Sequence, residues 1–216
     1  NNFSLVRDGD GNGVMNGSGN LVKKGTSTLT VNTGGTLTGT ATIAGGLVYA
    51  GNNSFANLSG ITITNNSTLD IGGGSFSSGK PVTISDAGFN GQGAIINSYG
   101  DYPTAAFQIT LAGDATITGG PQRWDLVSGS VTGAHSLTVS GNGSYSMEWN
   151  SIAIAANVSN IVFSNGEFGM KYLDNAFQNP ATVVTVASNA KFDFWNGGFN
   201  GSLYLMPGVQ VNIFTG

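Results

Sequence analysis

Three stretches decide the reading of this chain: Asn142-Gly-Ser-Tyr-Ser-Met-Glu-Trp149, Asn165-Gly-Glu-Phe-Gly-Met-Lys-Tyr172 and Asn189-Ala-Lys-Phe-Asp-Phe-Trp-Asn196. Each opens on a small turn and then alternates apolar residues with polar or small ones. Alternation is the mark of a strand with two unlike faces. Tyr145, Phe168 and Phe192 fall in one slot, and Met147, Met170 and Phe194 fill the next slot at the same spacings. A strand that returns in phase at such a period signals a repeat architecture. The reading is an all-β, right-handed parallel β-helix in which each coil is one strand-rich turn. At roughly 23–24 residues per coil, the 216 residues make about nine coils in a single domain over 1–216.

Working outward, the same turn-plus-strand phrase recurs as Asn66-Ser-Thr-Leu-Asp-Ile71 and Gly113-Asp-Ala-Thr-Ile-Thr118. Val82-Thr-Ile84 and Ala94-Ile-Ile96 supply strands of the coils between them. Insertions in a solenoid map to loops on one side. Two such loops are expected, at Asn97–Thr104 and Gly119–Asp125. The last strands are Gly201-Ser-Leu-Tyr-Leu205 and Val209-Gln-Val-Asn-Ile213.

Composition narrows the function. Charged residues are only 8% of the chain, while 39% are apolar, enough to fill a core. The net charge of −4 gives no attraction for nucleic acid or for an anionic membrane. With no cysteine, there is neither a disulfide framework nor a thiolate metal site. No apolar run is long enough to span a membrane as a helix. These features suit a bacterial protein that is secreted or on the cell surface, and the chain reads as a module of a larger secreted protein.

Catalysis finds little to work with. His135 is the one histidine, and Glu148 and Glu167 are the only glutamates. The two glutamates lie a little less than one coil apart and are the best candidates for a carboxylate pair. The expectation is a noncatalytic protein. Asp8, Asp10 and Asn12, followed by Gly13, match the first half of a calcium loop. The bidentate carboxylate due at the twelfth position is replaced by Gly19. Calcium is therefore the one cofactor the sequence raises, against the alternative of a solvated Gly/Asp loop.

The aromatic residues carry more. Tyr102, Trp124, Trp149, Tyr172 and Trp195 follow one another at intervals that are each close to one coil. Residues one coil apart stack at the strand spacing of roughly 4.8 Å. On the surface, such a ladder would stack against successive pyranose rings of a β-1,4-linked glycan, with Asp125, Glu148, Asp174 and Asp193 beside it for the hydroxyls. Parity gives the alternative: on a straight strand, Trp149 and Tyr172 share a side with Met147 and Met170 and belong to the core. Phe107, Phe163, Phe168, Phe192 and Phe194 are the clearer core candidates.

Two resemblances bear on these residues. Gly19-Asn-Leu-Val-Lys-Lys-Gly25, Thr28-Leu-Thr-Val31 and Thr42-Ile-Ala-Gly-Gly-Leu47 resemble the autotransporter-associated β-strand repeat, over residues 17–48. That resemblance implies a right-handed parallel β-helix. In architecture and aromatic spacing, the whole chain is similar to the xylan-binding β-helical carbohydrate-binding modules of gut bacterial xylanases. This implies a module that binds plant cell-wall polysaccharide beside an appended catalytic domain such as a glycoside hydrolase. The other reading is a structural or adhesive segment of an autotransporter-like surface protein.

Overall fold

Alternating strands bury one face and expose the other, and the chain wraps those buried faces around a common interior. The computed structural model describes residues 3–6, 15–32, 35–51, 53–100, 102–141, 145–171, 183–196, 202–205 and 210–213. Nearly all of them are strands or tight corners. One short 3-10 turn, Phe89–Gly91, interrupts the pattern. Among the described residues, every strand pairing is parallel and joins one turn to the next, as in a parallel β-solenoid of about seven turns.

Each complete turn has three sides. The first face stacks Leu21–Lys24, Thr40–Ala44, Gly60–Ile63, residues 80–84, residues 107–111, Ser130–Thr132 and Ala153–Ile154. The second stacks Thr28–Asn32, Leu47–Ala50, Thr68–Asp70, Ile95–Asn97, residues 115–119, Ser136–Gly141 and residues 160–165. The third carries Trp124–Val127, Met147–Asn150, residues 168–171 and residues 192–196.

The described residues make about seven turns where the even period expects nine, and turn length is uneven. Leu29 pairs with Val48 across a short turn, whereas Val82 pairs with Ile109 across a markedly longer one. The longer turn holds the connection between Ile95–Asn97 and Thr104–Pro121, where the sequence expects a loop. The other expected insertion is a corner instead. The strand runs on to Pro121 and the next begins at Trp124.

The core is a set of columns along the axis. On the second face, Leu29, Val48, Leu69, Ile95, Ile117, Val139, Phe163 and Val186 follow one another in register, all buried. On the first face, Ile43, Ile63, Ile84 and Leu111 form another column, headed by Lys23. The Lys23 ammonium donates to the carbonyls of Lys24, Gly25 and Gly45, which closes the polar end of that column. Each fully buried aliphatic or aromatic side chain contributes roughly 1.5–3 kcal/mol.

Corners are polar and use side chains that accept from the neighbouring turn. Asn16 Oδ1 accepts from the Thr36 backbone N–H at 3.0 Å, and Asn20 Oδ1 accepts from the Thr40 N–H at 2.9 Å. Asp114 does the same for Ser136, and Asn53 for Ser75. Asn65 and Asn66 adopt φ of 55° and 50°, a left-handed conformation that asparagine tolerates better than most residues.

The columns set an expected contrast. Phe163→Ala should lower stability by about 3–5 kcal/mol, whereas Thr62→Ala, on the exposed side of the first face, should change it by less than about 0.5 kcal/mol. Urea denaturation followed by circular dichroism reads both. Equal effects would refute the assignment of faces.

Candidate functional site

The third face decides where the aromatic residues go. Trp124 pairs with Met147, Met147 with Phe168 and Phe168 with Phe192, so these four share one inward column. Leu126, Trp149, Met170 and Phe194 form the next inward column. Trp124 and Trp149 are each 0% exposed. A surface ladder through these two tryptophans is thereby corrected, since both rings lie inside. Trp124 Nε1 donates to the Thr118 carbonyl at 2.8 Å, and Trp149 Nε1 points to Met147 Sδ at 3.1 Å. The burial of a Trp N–H thus costs little here. Inside, the rings meet edge to face. Trp149 lies 5.3 Å from Phe163, and Phe163 lies 4.7 Å from Phe192.

The repeat alignment slips in its first copy. Met147, not Tyr145, occupies the slot of Phe168 and Phe192. Tyr145 sits at a corner with φ of 57°, which turns it out of the strand. Tyr172 and Asp174 lie outside the described residues, as do the calcium candidates Asp8, Asp10 and Asn12. The Trp195 backbone is part of Val183–Asn196, and its side chain is outside the description.

Three of the four expected carboxylates fall on one line of the third face, but they are not open to solvent. Asp125, Glu148, Gly169 and Asp193 are consecutive outward positions on the third face. All three acids are buried. Arg123 covers the first two. Its Nε and Nη2 donate to the two oxygens of Asp125 at 2.7 and 2.8 Å, and Nη2 also donates to Glu148 at 3.1 Å. Lys191 takes the next pair, with Nζ at 3.0 Å from Glu167 and 3.7 Å from Asp193. Glu148 and Glu167 are therefore each neutralised by a different cation. His135 sits near Asp114 at 3.8 Å on the surface. Among the described residues, no cluster of three metal-ligating side chains is present.

Between the second and third faces, the corner opens into a cavity of about 380 Å³. Tyr102, Gly119, Pro121, Gln122, Arg123, Tyr145 and Ser146 line it. Both phenol rings flank the guanidinium, whose carbon lies 4.4 Å from the Tyr145 centroid and 5.6 Å from that of Tyr102. The floor needs Gly119, because a Cβ there would overlap the Ser146 carbonyl. Burial, first, and then the acids Glu148, Asp193 and Glu167 raise the Tyr145 pKa, against the opposing effect of Arg123, so its hydroxyl stays protonated. The ion pairs hold Arg123 in one orientation, and Tyr102 remains 68% exposed. Such a cavity offers aromatic faces, an amide and a fixed guanidinium to an uncharged polar ligand.

Of the expected site residues, the cavity gathers Tyr102 directly, with Asp125 and Glu148 behind it as the anchors of Arg123. Arg123, Gln122 and Tyr145 escaped the sequence reading. The expected insertions at Asn97–Thr104 and Gly119–Asp125 are the signal that could have found two of these three, since both border this corner. No protein-family model matches the chain, and no curated protein or solved structure matches it either.

The inward position of Trp149 sets a stability cost. Trp149→Ala should lose roughly 3–5 kcal/mol to the cavity left behind, seen as a large fall in melting temperature. An unchanged melting temperature would place the ring outside.

Proposed function

We propose that this β-solenoid is a noncatalytic carbohydrate-binding module. In this reading it holds a plant cell-wall polysaccharide, a xylan-like β-1,4-glycan, at the corner cavity between Tyr102 and Tyr145. The observation that carries the reading is the cavity itself: a polar pocket between two tyrosines with an arginine fixed in place. Sugar recognition uses flat faces against the C–H side of a pyranose ring and polar groups for its hydroxyls, and it needs no charge on the ligand. Pockets of this type supply orientation through a few placed polar groups. The absence of catalysis is supported by the ion pairs, because Glu148 and Glu167 are each engaged by a cation rather than poised as an acid and a base. A module of this kind would work in a secreted bacterial protein, beside an appended glycoside hydrolase.

A second reading has its own support. In a structural or adhesive segment of an autotransporter-like surface protein, the solenoid would only extend or stick. Burial of Trp124 and Trp149 favours it, since it removes two platforms from any surface ladder. The Asn20–Thr40 corner bond falls within the stretch that resembles the autotransporter repeat.

Affinity electrophoresis in gels containing soluble xylan separates the two. Retardation is expected for the unaltered protein. Tyr102→Ala should weaken it by about 1–3 kcal/mol, by analogy with other aromatic stacking platforms, without moving the melting temperature. No retardation by xylan or related β-glycans would leave the structural reading in its place.

A further inference from the structure

A second cavity of about 250 Å³ opens at the same corner, in earlier turns. Tyr49 and Tyr99 flank it, and Asn32 and Asn53 contribute polar groups to its wall. Its floor is the run Gly72-Gly73-Gly74. A Cβ at Gly72 would come within 2.8 Å of the Tyr49 ring, and one at Gly73 within 2.7 Å of the Tyr99 ring. Both glycines also have positive φ, 54° and 74°, so a side chain there would be strained as well as crowded. The bare backbone therefore makes room for two rings.

Buried polar groups hold this arrangement. Asn97 is fully buried on the adjoining strand. Its Oδ1 accepts from the Gly73 and Tyr99 N–H groups at 2.9 and 3.2 Å, and its Nδ2 donates to the carbonyls of Tyr99 and Arg123 at 3.0 and 2.9 Å. One side chain thus ties the floor of the second cavity, the backbone of Tyr99 and the backbone of Arg123 in the first. Asp70 Oδ1 accepts from the Gly72 and Ser98 N–H groups, both at 3.0 Å. Tyr99 and Tyr102 belong to the single connection between Ile95–Asn97 and Thr104–Pro121, so one loop supplies an aromatic wall to each cavity.

We propose that the two cavities are subsites of one extended groove along the corner, which binds a linear, uncharged oligosaccharide parallel to the solenoid axis. The proposal rests on the carbohydrate reading above and specifies its ligand. From the turn of Tyr49 to that of Tyr145 is four steps along the ladder, roughly 19 Å at the strand spacing. A β-linked chain of about five sugar units, at one unit per turn, covers that length. Tyr49 and Tyr99 seat one end, Tyr102 and Tyr145 the other.

Isothermal titration calorimetry with β-1,4-linked xylo-oligosaccharides from disaccharide to hexasaccharide tests it. Affinity should rise with length and level off once both cavities are filled. Tyr99 is 52% exposed, so Tyr99→Ala should fold normally. In that variant the rise with chain length should be lost, and hexasaccharide affinity should fall about tenfold. Tyr49→Ala should act in the same way, and Tyr99→Ala alone decides the matter if that variant does not fold. Affinity that is independent of length, or hexasaccharide binding lost in Tyr102→Ala but retained in Tyr99→Ala, would overturn the extended groove and leave the single-cavity reading standing. Failure of the unaltered protein to bind any of these oligosaccharides would overturn both.

Discussion

The in-register parallel ladder between turns is the constraint on which everything else depends. A solenoid has no second layer of structure to cover its backbone, so each turn must offer its N–H and C=O groups where its neighbours can take them. On the second face, the register passes from Leu29 to Val186 through eight successive strands. Any residue inserted within a strand would shift its side chains to the opposite side. Added length is therefore taken up where strands end or at local register shifts, as between Phe163 and Asn165. Even there, side chains such as Asn16, Asn20, Asn53 and Asp114 take up N–H groups of the next turn.

That constraint explains why the interior and the candidate site look so different. Inside, the narrow cross-section stacks apolar residues in columns, and rings near Phe163 pack edge to face in the later turns. Outside, the corner between the second and third faces is where the chain has freedom. The long connection before Thr104 and the turn around Arg123 both fall there, and so do the two tyrosine-flanked cavities. The acids of the third face illustrate the same division. Asp125 and Glu148 point outward, yet Arg123 reaches from the corner to cover them. An ion pair largely out of water holds one orientation because separating it would leave a buried charge.

Much of the fold was legible in the residues. Alternation in Asn165–Lys171 and Asn189–Phe194 sets the register of Phe168 on Phe192 and of Met170 on Phe194, as the spacing implies. The five phenylalanines expected in the core lie in it or packed against it. The first of the three matching stretches misled. Its tyrosine sits at a corner, and the slot belongs to Met147, because a turn of variable length lies upstream of the strand and spacing alone does not locate its end.

The sequence by itself thus determined the architecture, since a repeating pattern of buried and exposed residues admits few other folds. Only the tertiary structure decided the side on which each large aromatic falls. Trp124 and Trp149 obey the parity of their strands and turn inward, where Thr118 accepts the indole N–H of Trp124. The cavities, too, belong to the tertiary structure. Tyr102, Arg123 and Tyr145 meet in one and Tyr49 and Tyr99 in the other, because the backbone hydrogen bonds between turns bring one corner of each turn over the last.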